Sequence, residues 1–371
     1  MWGSKKFPCI TPFAERGILL QKDSLQRKSL ILDWPAHPRL LAPPVAIGNT
    51  PWRHLRVSMG GMEHEIRIKE EYRNAFGSIK DRVAWALLAE AIGSGSLGPH
   101  GHVIDASSGN YGIALASLGR MLDVQVDIVV SAGTPAATVD LIRAAGASIH
   151  VAEPVQGETL HQGRIALAGE IAAQTGATFL DQYNNPGNPN THYRWTAAET
   201  FESFLPDAMF VSASSGGTAA GISRYVRDRK LSFPLIVVDS IASNILAKPM
   251  NEGRLLVPGM GSKRRTSFVP ESGDYQLLRI PDSQALACYS LLEAGAGLSL
   301  GLSSCGVLAG ALRWLSLQKQ PCKVAMLGVD GRGKYSAHVA ACRQNPTLAA
   351  DIEAYIQTDE ASLMAISGLW E

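Results

Sequence analysis

The sequence predicts an α/β fold with open, mostly parallel sheets and helices on both faces of each sheet. From about Glu65 onward, short apolar runs alternate with longer amphipathic stretches. Such alternation is typical of parallel sheets, because a parallel connection needs a crossover helix. Of the 371 residues, 46% are hydrophobic and 18% are charged, which is enough to bury a sizeable core. We therefore expect two lobes around a cleft.

The predicted elements alternate along the chain. The strands are Glu65–Lys69, His102–Asp105, Val124–Val130, Ser148–Val151, Thr178–Leu180, Ala208–Ser212, Pro234–Asp239 and Lys323–Gly328. The helices are Ser78–Ile92, Tyr111–Met121, Pro135–Ala145, Thr159–Thr175, Thr191–Phe204, Thr218–Arg229, Asp282–Glu293 and Val307–Leu317. Thr134 is the predicted N-cap before Pro135, and Gly146 and Gly176 are predicted C-terminal caps. After about Gln344 the pattern predicts one or two helices.

Composition and charge exclude several classes of protein. The net charge of +1 gives no global field that would attract nucleic acid or a membrane surface. No apolar run is long enough for a signal peptide or a membrane span. The cysteines form no CxxC pair, so we expect neither a structural metal site nor disulfides, and a reduced, cytoplasmic setting. They are Cys9, Cys288, Cys305, Cys322 and Cys342.

Three strand-to-helix junctions are rich in Gly, Ser and Asn: 106–112, 212–221 and 301–306. In parallel sheets, ligands bind at the carboxyl ends of strands, where the next loop opens a helix. In the second junction, small residues and the hydroxyls of Ser214, Ser215 and Thr218 suit a phosphate at a helix N-terminus. The alternative is a tight turn without a ligand. This junction contains neither a Walker lysine nor GxGxxG, which disfavours nucleotide hydrolysis and dinucleotide binding there.

Lys80 lies near the start of a predicted helix, where the helix dipole favours anions. A charged ammonium is misplaced there, whereas a lysine neutralised as a Schiff base fits better. The alternative is a solvated surface lysine. Asn110 offers a donor and an acceptor at another predicted helix start, where plain N-capping is the alternative reading.

Five motifs occur in one order along the chain: GSIKDR, SSGNYG, LDQYNNPGNPNTHY, SSGGTAAG and GLSSCG. Together they resemble the cysteine synthase and cystathionine β-synthase family, the fold type II pyridoxal-phosphate enzymes. The resemblance runs from about Ile47 to about Tyr335. It implies pyridoxal 5′-phosphate in the cleft between the two lobes.

The resemblance also implies a role for each matching residue. Lys80 would form the internal aldimine and later move the α-proton, Asn110 would bond the cofactor's 3′-oxygen, and Ser303 would face the pyridine nitrogen. The implied phosphate site consists of Ser214, Ser215, Gly216, Gly217 and Thr218. The implied substrate-carboxylate site consists of Ser107, Ser108, Tyr111 and Gln182.

Four features depart from the family pattern. Ser214 replaces the first glycine of the phosphate loop, a change that the loop could tolerate. Tyr111 replaces a small threonine and should reshape the carboxylate pocket. Cys305 replaces a glycine, which we interpret as a mild backbone change in preference to a reactive thiol. Lys263, Arg264 and Arg265 make a consecutive basic run near the expected active-site mouth. The run is either a solvated turn or a site where Arg264 and Arg265 bind an anionic substrate, as in family members that make 2,3-diaminopropionate precursors from O-phosphoserine and glutamate.

The resemblance implies β-replacement on O-acetylserine or O-phosphoserine through an aminoacrylate. A small-molecule nucleophile would then give cysteine, a thioether or a 2,3-diaminopropionate derivative. One alternative is a β-elimination lyase that releases pyruvate and ammonia. Another is a catalytically idle binding subunit, which Lys80, Asn110 and Ser303 argue against.

The expected organisation has three parts. Residues 1–41 form an N-terminal arm, residues 42–73 and 184–371 form a large cofactor-binding lobe, and residues 74–183 form a small mobile lobe. The family is usually dimeric, and the arm has too few apolar residues to fold alone. We therefore expect a homodimer, with the arm covering the partner or its own large lobe.

Overall fold

The computed structural model describes residues 42–59, 61–154, 159–271, 273–295 and 298–364. All of these residues belong to one compact unit, residues 35–371. The predicted arm, residues 1–41, lies outside the described residues. None of the helices in the described part is long and apolar enough to cross a membrane.

A six-stranded sheet forms the larger layer, with strand order β1-β2-β10-β7-β8-β9. Only β1 and β2 pair antiparallel; every other neighbouring pair is parallel. The strands are β1 (Trp52–Met59), β2 (Met62–Lys69), β7 (Ala208–Ser212), β8 (Leu235–Ser240), β9 (Gln276–Ile280) and β10 (Lys323–Leu327). This sheet draws its strands from residues 52–69 and 208–327.

A four-stranded, fully parallel sheet of order β5-β4-β3-β6 lies within residues 102–179. Its strands are β3 (His102–Ala106), β4 (Gln125–Ser131), β5 (Ser148–Ala152) and β6 (Thr178–Phe179). The smaller sheet falls within residues 74–183, the predicted small lobe. The boundaries of the two lobes and the motion of the smaller one stay predictions.

Helices connect the strands in both sheets. They are α1 (Lys80–Gly93), α2 (Asn110–Leu122), α3 (Ala136–Ala145), α4 (Leu160–Thr175), α5 (Gly187–Thr191), α6 (Ala198–Ser203), α7 (Gly217–Asp228), α8 (Asp282–Gly295), α9 (Leu302–Leu315), α10 (Ser336–Arg343) and α11 (Pro346–Met364). Successive residues of β8 face opposite ways: Val238 packs in an apolar cluster with α8, α9 and α11, and Val237 in another with α6 and α7. Both faces of the large sheet are thus covered, which confirms the predicted α/β class.

Each of the eight predicted strands is present within two or three residues of its expected bounds, but β1 and β9 were missed. In β1, buried Leu55, Val57 and Met59 alternate with exposed residues, a period-two pattern that was readable in the sequence. The segment β9 is an edge strand with little such contrast.

Three helix predictions need correction. The helix predicted at Val307–Leu317 begins five residues earlier, because α9 is Leu302–Leu315. Residues 301–306 therefore follow α8 and open α9, and they are not a strand-to-helix junction. The helix predicted at Thr191–Phe204 is instead α5, a π-helical turn (His192–Ala197) and α6. Thr134 does not cap α3, which begins one residue later with Pro135 as the N-cap. The Thr134 hydroxyl instead donates to Ser108 Oγ, at 2.9 Å, so a tertiary contact replaces the local cap. Gly146 and Gly176 are left-handed C-caps, as predicted.

Candidate active site

The loop between β7 and α7 is built so that only glycine fits at two positions. Gly216 has φ +91°, and a Cβ there would lie 2.3 Å from Thr266 Oγ1. A Cβ on Gly217 would lie 2.1 Å from Asn188 Oδ1. The loop backbone therefore stays bare where the twelve-residue helix α7 begins, and its first N–H groups are available to an anion.

Hydroxyl groups surround this bare backbone. Ser215 is buried and Ser214 is exposed. Thr218 Oγ1 lies 3.2 Å from Nε2 of His192, which belongs to the π-helical turn. Burial, with Lys80 and Arg82 nearby, lowers the pKa of His192 well below its ordinary value, so the ring is neutral. A neutral ring can accept or donate here without adding charge to the loop.

Lys80 is the first residue of α1, and its Nζ lies 3.3 Å from Ser215 Oγ. The predicted lysine and the predicted phosphate loop therefore meet in space. Burial lowers the pKa of Lys80 to about 8, and the charge of Asp105 opposes this shift. At pH 7 roughly one Lys80 amine in ten is then neutral, against fewer than about one in a thousand at the ordinary pKa, and the neutral amine is the form that attacks a carbonyl.

The residues after Lys80 anchor the start of α1. Asp81 accepts from the Phe76 N–H at 2.6 Å and from Ser78 Oγ at 3.2 Å. Arg82 is fully buried and pairs with Glu71 (2.7 Å) and Glu199 (2.8 Å). A buried ion pair of this kind fixes geometry more surely than it adds stability. The position of Lys80 is therefore set by its neighbours in the GSIKDR motif.

Gln182 links the substrate-side loop 106–112 to the phosphate-side loop 212–221 through hydrogen bonds of its backbone and its side chain. Its N–H donates to Asp105 at 3.0 Å, and its side-chain Nε2 donates to the Ala106 carbonyl at 2.9 Å. Asn188 Nδ2 donates to the Gln182 carbonyl at 2.7 Å and to Ser215 Oγ at 3.4 Å. The predicted substrate-side and phosphate-side loops are thus linked by direct hydrogen bonds.

Asn110 begins α2, and its amide has a protein partner at each end. Nδ2 donates to Asp330 Oδ2 at 2.8 Å, and Oδ1 accepts from the Lys334 ammonium. The Tyr335 hydroxyl also donates to Asp330 Oδ2. Neither Asp330 nor Lys334 was singled out in the sequence. They follow the carboxyl end of β10, so the strand-end rule that selected the other loops could have found them.

Ser303 is buried in the first turn of α9, close to the loop that precedes the basic run. A Cβ on Gly259 would lie 3.1 Å from Ser303 Oγ. Cys305 is fully buried two residues later, and burial together with Cys288 raises its pKa well above the ordinary value. A buried, protonated thiol is unreactive, which supports the interpretation of Cys305 as a packing residue.

Ser108, His161, Arg164 and Tyr183 form a polar cluster, here called the Arg164 cluster. The Arg164 guanidinium donates to Ser108 Oγ (2.7 Å), to His161 Nδ1 (2.8 Å) and to the Tyr183 hydroxyl (2.6 Å). The His161 and Tyr183 rings meet edge to face with centroids 4.1 Å apart. Burial, Arg164 and Arg264 lower the pKa of His161 to about 3. His161 is therefore neutral and accepts from Arg164 through Nδ1.

The three side chains of the basic run 263–265 point to different neighbours. Arg264 donates to Asn184 Oδ1 at 2.9 Å, one residue from Tyr183, and its charge is felt at His161. Lys263 donates to the carbonyls of Ala242 and Gly253. Arg265 reaches the Leu246 carbonyl at 3.4 Å and makes no described contact with the Arg164 cluster. Of the two predicted arginines, only Arg264 influences the Arg164 cluster, through its charge at His161.

Ser107 and Tyr111 shape the substrate-side loop from within. Ser107 Oγ accepts from the N–H groups of Gly109 (3.4 Å) and Gly112 (3.0 Å). Tyr111 is 2% exposed and lies beside Asp105, whose charge adds to burial in raising the pKa of the phenol. Its bulk therefore supports the loop from below, and an effect on substrate choice stays a prediction.

The profile of the family described as pyridoxal-phosphate dependent enzyme matches residues 44–327, more than half of the chain. The chain belongs to this family. The enzyme therefore uses pyridoxal 5′-phosphate, as the sequence motifs predicted.

Individual relatives agree with this assignment. An N-(2-amino-2-carboxyethyl)-L-glutamate synthase of Cupriavidus metallidurans is 31% identical over 82% of this chain and 94% of its own length. Cysteine synthase 3 of Caenorhabditis elegans is 30% identical over 76% of this chain and 84% of its own. The crystal structure of an O-acetylserine dependent cystathionine β-synthase from Helicobacter pylori is 25% identical, with TM-score 0.70, over 80% of this chain and 98% of its own.

The residues of the site fit the cofactor. The glycine-lined start of α7 has the room and the N–H donors for a phosphate, and Lys80, with its lowered pKa, lies beside that loop. Lys80 would bind the cofactor covalently, Asn110 would face its 3′-oxygen and Ser303 its ring nitrogen. Two buried oxygens near these groups, Asn188 Oδ1 and Asp330 Oδ1, have no partner among the described residues.

Proposed function

We propose that the enzyme replaces the phosphate of O-phosphoserine with an amine nucleophile and so makes a 2,3-diaminopropionate derivative. The observation that carries the proposal is that Arg164 and Arg264 contact two adjacent residues, Tyr183 and Asn184. The preceding residue, Gln182, is linked through Asn188 to Ser215, which lies beside Lys80. The amine nucleophile is suggested by the name of the C. metallidurans relative, in which an aminocarboxyethyl group is attached to glutamate.

Among the described residues, no carboxylate compensates the charge of either arginine. In the described part of the chain, neither Arg164 nor Arg264 pairs with a carboxylate. His161, which contacts Arg164, is neutral because its pKa is about 3. A dianionic phosphate would offset both charges, and guanidinium–phosphate hydrogen bonds are roughly twice as strong as neutral ones. An uncharged acetyl group would gain no such interaction.

The proton chemistry would be carried by Lys80. The cofactor, when bound, supplies the electron sink that makes the α-proton of an amino acid acidic. With a pKa of about 8, the Lys80 amine can take a proton from the α-carbon and return it near neutral pH. The Ser303 hydroxyl would leave the ring nitrogen largely unprotonated, which suits rapid loss of a β-substituent.

Assembly and location extend the proposal. We infer a homodimer in a reducing compartment such as the cytoplasm. The described cysteines Cys288, Cys305, Cys322 and Cys342 are all free thiols, which supports a reducing environment. Sedimentation of the full chain at micromolar concentration tests the dimer, and a monomer would contradict it.

The test compares O-phosphoserine with O-acetylserine in the holoenzyme. Products formed with glutamate, other amino acids and sulfide are identified by mass spectrometry. Arg164→Gln and Arg264→Gln should each raise KM for O-phosphoserine roughly 10- to 100-fold, because a hydrogen bond to a charged group contributes about 1.5–3 kcal/mol. KM for O-acetylserine should change less than about threefold.

Arg265→Gln is the matched control. It removes the same charge one residue away, where the side chain turns to the Leu246 carbonyl, so both KM values should stay near wild type. Equal effects of Arg264→Gln on the two substrates would contradict phosphate recognition. Pyruvate and ammonia as the main products with every nucleophile would favour the β-elimination reaction. Absence of any visible cofactor absorbance would revive the idle-subunit alternative.

A further inference from the structure

The amide of Asn110 is held at both ends by residues that follow β10. Its Nδ2 donates to Asp330 Oδ2 at 2.8 Å, and its Oδ1 accepts from the Lys334 ammonium. Lys334 also lies 3.2 Å from Asp330 Oδ2 and is 29% exposed at its side chain. One carboxylate and one ammonium thus enclose the amide.

These partners determine which way the amide points. An ionised carboxylate only accepts hydrogen bonds and an ammonium only donates them. The amide nitrogen must therefore face Asp330 and the amide oxygen must face Lys334, since the flipped amide would lose both contacts. One N–H of Nδ2 is used by Asp330, so the group that Asn110 can still offer is its second N–H, a donor.

Asp330 is itself fixed by the elements that carry the rest of the site. Its carbonyl accepts from the N–H of Gly301 at 2.8 Å, just before α9 and Ser303. Asp330 also forms an isolated β-bridge with Ser78, two residues before Lys80. The side chain is 2% exposed. The Asn110 amide is thus oriented from the same framework that positions Lys80 and Ser303.

We propose that Lys334 is a positioning residue that acts through Asn110: it fixes the amide so that a donor faces the cofactor's 3′-oxygen. The proposal rests on the proposed role of Asn110 toward the cofactor. A donor favours negative charge on that oxygen, and so would keep on the Lys80 nitrogen the proton that the oxygen and this nitrogen share when the cofactor is bound. Without the donor the proton would move to the oxygen, and the absorbance of the bound cofactor would shift to shorter wavelength.

The test reads the absorbance spectrum of the purified holoenzyme, without substrate, at one fixed pH. Lys334→Met should lower the ratio of the long-wavelength to the short-wavelength band by about tenfold, the change that corresponds to one pKa unit. Lys334→Arg keeps the charge and should keep the ratio within about twofold. Lys319→Met removes an exposed lysine that has no place in the site and should leave the spectrum unchanged.

A double-mutant cycle tests whether Lys334 acts through Asn110. In an Asn110→Ala background, Lys334→Met should change the band ratio less than about twofold. A full tenfold change there, or an unchanged spectrum in Lys334→Met alone, would overturn the proposal. A loss of thermal stability with an unaltered spectrum would likewise reduce Lys334 to a structural role. These measurements need no substrate, so an enzyme that ignores O-phosphoserine would refute the proposed function while leaving this result intact.

Discussion

The loop 215–218 and the Arg164 cluster are the two places where we propose that an anion binds, and they differ in the groups they offer. The loop 215–218 presents bare backbone at the start of α7, because neighbouring side chains leave no room for a Cβ at Gly216 or Gly217. The Arg164 cluster instead uses long side chains from α4, from the loop after β3 and from the segment after β6. The backbone of the loop 215–218 loses little conformational entropy when an anion binds. The side chains of the Arg164 cluster lose more, because they are flexible and must become ordered.

The two kinds of site suit two kinds of ligand. A backbone site binds phosphate in one geometry and suits a permanent cofactor. A side-chain site can change its charge and reach by single substitutions, which suits the choice of substrate. Lys80 lies where the two regions meet, hydrogen-bonded to Ser215 and influenced by Asp105 of the small sheet.

The largest effect should come from removing the residue that joins the two regions. Lys80→Met should lower turnover by about a thousandfold or more and remove the visible absorbance of the bound cofactor, because the covalent amine and the proton carrier are lost together. Turnover is followed by product mass spectrometry and the cofactor by its spectrum. Lys319→Met serves as control, and a Lys80→Met enzyme that kept both signals would refute the role of Lys80.

A second test disrupts only the loop 215–218, whose backbone is the proposed phosphate site. Gly217→Ala places a methyl group against Asn188, and such overpacking costs about 1–3 kcal/mol, so the cofactor should dissociate roughly 10- to 100-fold more readily. Gly98→Ala is the matched control, since a Cβ there would meet nothing within 4 Å. Cofactor affinity is measured by titrating the apoenzyme. Equal affinity in the two variants would mean that the tight loop is not the phosphate site.

The same contrast explains how far the sequence could predict this enzyme. The loop containing Gly216 is local in sequence, so its glycines and hydroxyls were readable before any fold was known. The Arg164 cluster unites residues up to 75 positions apart, and Arg164 reads as one more polar position on an amphipathic helix. The orientations of Arg264 and Arg265 depend on loop geometry, which periodicity does not encode. Strand β1 is different, because its alternation of apolar and polar residues is present in the sequence although the predicted strands do not include it.

The smallest expected effect concerns the charge state of His161, on which the side-chain region depends. Arg164, Arg264 and burial hold its pKa at about 3, whereas in the unfolded chain it is about 6.5. At a pH between these two pKa values, His161 binds a proton in the unfolded chain and none in the folded enzyme. The free energy of unfolding therefore decreases as the pH falls below about 6.5. His161→Gln removes that proton uptake. Relative to wild type, the variant should gain about 1 kcal/mol of unfolding free energy between pH 7.5 and pH 5.5, as measured by chemical denaturation of the holoenzyme. Parallel pH dependences would mean that His161 is protonated in the folded enzyme. A protonated His161 would then add a third positive charge to the anion site, beside the charges of Arg164 and Arg264.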